Sequence, residues 1–227
     1  MTSVHELAAW LEVRLGRDDL PTLYRKGDTD TVGVLALALE PMDVPEEANM
    51  DAVFLHRPFR AGSAFARRAI LTSHHGFDEK LTTGENEPLI ERLEWRDVRP
   101  FDMDRRRFGV IASPPQRTWS AFLTALLGEF GAFEDVAAPA RDPLRRVALV
   151  NAFRPELVRA LHDQGVDALV TGQGRVLGAR HAKEVGMGIV ALGHRRSEEW
   201  GLRQLGRELE QAFADLRTVV YTSSLSG

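Results

Sequence analysis

Eight short runs rich in Val, Ile, Leu and Ala, with helical spacing between them, constrain this 227-residue chain more than any other feature. The runs are Val32–Leu39, Ala52–His56, Ala69–Ser73, Phe108–Ser113, Val147–Asn151, Ala168–Thr171, Ile189–Gly193 and Thr218–Tyr221. A strand that is apolar on both sides must be covered on both sides, so near-continuous apolar runs read as buried, largely parallel strands. The intervening segments Glu6–Leu15, Glu87–Leu93, Trp119–Glu129, Pro155–Gln164, Ala179–Val185 and Glu198–Leu216 read as helices. In Trp119–Glu129, residues Phe122, Leu123, Leu126 and Leu127 have the spacing of one buried face. This alternation predicts an α/β fold, layered α/β/α with mixed, largely parallel sheets.

The whole of 1–227 is expected to form a single unit. A soft seam is expected at 130–146, where Pro139 and Pro143 interrupt the pattern. Each half repeats the strand–helix alternation, which suggests two intertwined, pseudo-repeated halves.

The chain has no cysteine, which excludes disulfides, a thiolate nucleophile and cysteine-held zinc or iron–sulfur clusters. Any metal must rest on His, Asp and Glu. A net charge of -4 argues against broad electrostatic capture of nucleic acid. The cluster Arg105-Arg106-Arg107 is read as solvated surface in preference to a phosphate or acidic-partner site, because only three of the 29 basic residues are lysine and arginines are common throughout. The first residues lack the basic start and apolar core of a signal peptide, and no apolar run is long enough to span a bilayer, so a cytoplasmic protein is expected.

Four of the seven histidines stand at or just beyond the ends of apolar runs: His56, the neighbours His74 and His75, and His194. In open α/β sheets, ligands bind outside the carboxyl ends of strands. Asp78 lies four residues past His74, and Glu198 four past His194. Imidazoles with carboxylates suit zinc, manganese, iron or cobalt better than magnesium or calcium. Taken singly, a strand-end His is more often a hydrogen-bonded structural residue than a ligand, and these spacings arise by chance. Three strand ends supplying His, two of them with a carboxylate, point to a shared divalent-metal site. His5, His162 and His181 read as helix-face residues.

These segments resemble, in order through nearly the whole chain, the NIF-three-like dinuclear-metal proteins, some of which are labelled GTP cyclohydrolase 1 type 2. The matching segments are Asp51–Pro58, Thr72–Asp78, Gly84-Glu85-Asn86, Val166–Gln173 and Gly193–Glu198. The resemblance implies His56, Asp78, His194 and Glu198 as metal ligands, with Glu198 bridging two ions and His74 acting as a nearby proton carrier or as a group behind the ligands rather than as a first-choice ligand. It also implies one or two divalent ions per chain and a homohexamer.

Two residues depart from that pattern. Arg57 stands where the family has a second His, and Gln173 where it has Glu. A guanidinium cannot ligate a cation, so Arg57 points either to a one-metal or degenerate site or to a substrate-binding role on a phosphate or carboxylate. His75 is the candidate to supply the missing imidazole, but strand alternation turns neighbouring side chains to opposite faces. The expected function is a metal-dependent hydrolase acting on a nucleotide or other phosphorylated small molecule. The alternative is a non-catalytic metal-binding or regulatory interaction protein, and neither nucleic acid nor membrane is an expected partner.

Overall fold

The computed structural model describes residues 2–222. In chain order the elements are β1 (Thr2–Ser3), α1 (Val4–Leu15), β2 (Leu23–Arg25), β3 (Thr31–Val32), β4 (Val34–Ala38), β5 (Ala52–Leu55), β6 (Ala69–Leu71) and α2 (His75–Leu81). They continue with α3 (Glu87–Arg92), β7 (Arg96–Met103), β8 (Arg106–Ser113), α4 (Trp119–Phe130), β9 (Asp135–Ala137), β10 (Val147–Val150) and α5 (Pro155–Asp163). The last are β11 (Ala168–Thr171), α6 (Val176–Val185), β12 (Gly188–Ala191), α7 (His194–Ala212) and β13 (Arg217–Tyr221). Every apolar run named above contains a strand, so the α/β reading holds. Among the described residues, no helix is long and apolar enough to cross a membrane.

The chain forms two compact units. One comprises the described residues up to Phe77 together with those from Gly201 onward, and the other is Asp78–Trp200. The chain therefore passes between units inside α2 and again inside α7. Segment 130–146, the expected seam, lies within the second unit. There β9 pairs antiparallel with β12, and Leu144 is fully buried.

In the first unit the strand order is β13-β4-β5-β6-β2, with the first four parallel and β2 antiparallel at the edge. Side chains alternate between faces. Ala36, Ala38, Val53, Leu55 and Ile70 share one core with Val44 and Met50. Leu37 meets α7 on the other face: a β-carbon added to Gly206 would lie 3.2 Å from Leu37 Cδ1 and 2.9 Å from Thr218 Oγ1. The helix backbone thus lies directly on β4 and β13. Helix α1 begins in a capping box, in which Ser3 Oγ accepts from the Glu6 N–H and Glu6 accepts from the Ser3 N–H.

In the second unit the order is β7-β8-β10-β11-β12-β9. Only β10, β11 and β12 are parallel to one another, and the flanking strands are antiparallel. Alternate residues feed two cores. Val110, Val147, Leu149, Val170 and Val190 pack with Leu89 of α3 and Phe122 and Leu126 of α4. Ile111, Ala148, Val150, Leu169 and Ile189 pack with Leu157, Val158 and Leu161 of α5 and Ala182 of α6. Helices on both faces account for the run-like sequences. In α4 the buried stripe is Phe122, Leu126 and Phe130, while Leu127 is exposed, so the apolar face is narrower than its sequence predicts.

Strand β7 carries no apolar run and is exposed nearly throughout, which is why its sequence does not announce it. It is an edge strand, where Pro100 costs no ladder bond. Met103 pairs with Arg106 across a two-residue turn, and both turn residues, Asp104 and Arg105, have positive φ (52° and 64°). That is the type I′ pattern, usually carried by Asn-Gly.

Candidate metal centre

The carboxyl ends of β5 and β6 bring the first candidate residues together. Phe54 pairs with Leu71 across these parallel strands, so the residues that follow, His56 and Ser73, run side by side. His56 is fully buried, and its Nδ1 lies 3.1 Å from the Ser73 carbonyl oxygen. A carbonyl can only accept, so Nδ1 carries the proton, which leaves Nε2 as the nitrogen that can act as a ligand atom. Such a hydrogen bond to the far nitrogen is what orients and tunes metal-ligating imidazoles. The ring is packed against Phe77, with centroids 4.8 Å apart, and against His74 at 4.6 Å.

His74 immediately precedes α2, and Asp78 lies one turn on, where residues four apart share a helix face. The outcome is a group of three donors: His56, His74 and Asp78 offer ligand atoms that all lie within 4.8 Å of one another. His74, expected as a proton carrier, offers one of these three donor atoms.

Asp18 shapes this turn, and the sequence reading missed it. Its buried carboxylate accepts from the backbone N–H groups of His74 and Gly76, from the Ser73 hydroxyl, and pairs with His75 Nδ1 at 3.1 Å. Burial pushes the Asp18 pKa up, but the backbone N–H groups of His74, Asp19 and Gly76 and the His75 imidazole outweigh it, holding the carboxyl below its usual range. Gly76 is required for the close approach of α1: a β-carbon there would lie 2.3 Å from the Leu15 carbonyl oxygen. His75 turns to Asp18 and Asp19 and forms a separate, more exposed group with them, so it does not supply the missing imidazole beside His56.

Arg57 Nε donates to Glu40 Oε1 at 3.1 Å, so its charge is balanced by a carboxylate at the end of β4's run. In the second unit, α7 starts at His194, and His194 Nε2 lies 3.1 Å from Glu198 Oε1 one turn later. Glu198 is 1% exposed and His194 57% exposed, so a buried carboxylate is tied to an accessible imidazole. The β11 end comes close to this turn at Gly172, whose added β-carbon would lie 3.1 Å from Ser197 Oγ. Gln173 is exposed and accepts from Arg175.

Two imidazoles and a carboxylate within that reach match the nitrogen and oxygen ligands, at bond lengths near 2.0–2.2 Å, that zinc and similar ions take. The donor set, the oriented His56 tautomer and the surrounding apolar ring of Phe77 fit a small divalent cation.

Residues 66–226 match the family model Duf34/NIF3 (NGG1p interacting factor 3). Among curated proteins, the chain is 22% identical over 236 residues to a GTP cyclohydrolase 1 type 2 homolog of Deinococcus radiodurans, covering 92% of this chain and 89% of that protein. It is 26% identical over 151 residues to the homolog of that name from Pseudomonas aeruginosa, covering 64% of this chain but only 58% of that protein. Among solved structures, reduced HcgD from Methanocaldococcus jannaschii superposes with a TM-score of 0.75 at 16% identity, covering 97% of this chain and 98% of that one. At that identity the likeness establishes a shared fold.

Proposed function

The chain belongs to the Duf34/NIF3 family, and we propose that it binds a divalent cation, zinc, manganese, iron or cobalt, through His56, His74 and Asp78 and acts as a hydrolase on a phosphorylated small molecule. The observation that supports this is the convergence of three donor atoms within 4.8 Å, with His56 held in the tautomer a ligand needs. A divalent cation there would lower the pKa of a water molecule toward neutrality. Ser73 orients His56, and Asp18 fixes the turn that presents His74. His194 and Glu198 serve as further ligands in this reading, and Arg57, 24% exposed and paired with Glu40, is the residue that meets an anionic substrate group. The family's hexamer is part of the same proposal, as a ring of six chains.

The test is metal content per chain after purification without chelator, measured for the wild type, Asp78→Asn and His74→Ala. A ligand role for both residues requires that each variant lose metal. Retention in His74→Ala with lost turnover on a nucleotide and phosphoester panel would return His74 to proton transfer. Wild-type protein that holds no metal would defeat the assignment.

One observation favours a second reading. Arg57, adjacent to His56, is ion-paired with Glu40, and a guanidinium has no lone pair with which to ligate a second metal. A one-metal, non-catalytic protein follows from it, and stoichiometric metal without turnover on any substrate would support that reading.

A further inference from the structure

We infer that Arg106 and Arg154 form an oxyanion site for a phosphate-bearing small molecule at the carboxyl edge of the second unit's parallel strands. Both guanidiniums lie over one ring: the Arg106 carbon is 5.4 Å and the Arg154 carbon 5.0 Å from the Phe108 centroid. These two distances cap their separation at about 10 Å, and a tetrahedral oxyanion held between two guanidiniums sets them at about 8 Å when each donates two N–H groups. Phe108 is 5% exposed and anchored in the core with Phe153, so the platform under both cations is rigid.

The contrast with the next residue sharpens the point. Arg107 points to the other face of β8, where Asp102 and Glu85 neutralise it. The guanidiniums of Arg106 and Arg154, by comparison, have no ion pair or hydrogen bond with any described residue. Two exposed cations gathered on one ring without a carboxylate leave their donor forks to an external anion. Of the cluster Arg105-Arg106-Arg107, read from sequence as solvated surface, only one member is internally neutralised.

The position gives the site a use. Because β8 runs antiparallel to β10 and the Asn151 N–H donates to the Phe108 carbonyl, Arg106 sits at the same edge as Arg154, which follows β10. Residues following β11 and β12 at that edge are Gln173 and His194. Neighbouring strands are ~4.8 Å apart, so the anion site is about three strand spacings along the edge from β12, a span a small phosphorylated molecule covers. The site stands on the arginine pair alone and does not rest on the metal assignment.

The experiment is calorimetric titration of the full chain with inorganic pyrophosphate at low and physiological salt. The wild type is expected to bind saturably, with affinity falling as salt rises. Arg106→Gln and Arg154→Gln should each weaken binding at least tenfold, and Arg106→Lys, which keeps the charge and loses the fork, at least threefold. Arg105→Gln, on the adjacent turn, should change it less than twofold. Circular dichroism would show each variant folded, and Arg154→Lys serves if Arg154→Gln is not. Absent saturation, equal weakening by Arg105→Gln, or a single-stranded oligonucleotide binding tighter than pyrophosphate with the same arginine dependence would overturn the proposal. Metal removal should leave the affinity unchanged.

Discussion

His194 Nε2 lies 3.1 Å from Glu198 Oε1, one turn apart at the start of α7, with the carboxylate almost completely buried and the imidazole open. A charge taken out of water is held only where partners or a metal satisfy it, and the proposed function makes this pair a further set of metal ligands. His194→Ala combined with Glu198→Ala is expected to reduce bound metal at least tenfold while leaving a folded chain by circular dichroism. Metal content unchanged from the wild type would remove both residues from the ligand set.

Gly76 is the tightest point of the turn that carries His74. Its substitution by Ala places a methyl group 2.3 Å from the Leu15 carbonyl oxygen, so α1 or α2 must shift. Overpacking of this kind costs ~1–3 kcal/mol. Urea denaturation of Gly76→Ala should show a loss of that size, together with weaker metal retention. A variant as stable as the wild type would mean that the turn is looser than these contacts require.

Glu85 accepts from Lys80 and Arg107 in the second unit. Burial raises its pKa, but hydrogen bonding and attraction from Lys80 and Arg107 win, and the carboxyl titrates below its ordinary value of 4.5. A carboxyl depressed in the folded state contributes stability that is fully present above 4.5 and is lost as pH falls through the lowered folded value. Glu85→Gln should therefore be less stable than wild type at pH 7, with the gap closing below pH 4.5. Parallel stability curves down the acid limb would contradict this.

The Asp104-Arg105 turn offers a gain. Both residues occupy the positive-φ region, in which a side chain costs ~1 kcal/mol relative to glycine. Replacing the pair by Asn-Gly should raise stability by about 1 kcal/mol in equilibrium unfolding. A loss would show that the two side chains make compensating contacts.

The buried strands and the residues at their ends are legible in the order of amino acids alone. Strands such as Val147–Val150 and Ala168–Thr171 are covered on both faces, so burial forces an apolar run that is visible without coordinates. His56, His74 and His194 stood out because polar residues ending such runs are conspicuous. The remaining features arise from contacts between distant segments. Asp18 caps the His74 turn from 56 residues away, and no local spacing reports a contact of that range. β7 and β9 are edge strands whose exposed side chains need no apolar pattern. Arg106 and Arg107 are indistinguishable in sequence, yet the pleat sends one to Phe108 and the other to Asp102 and Glu85. Local burial writes itself into composition, whereas the pairing of charges depends on which distant segments folding brings within a few ångströms.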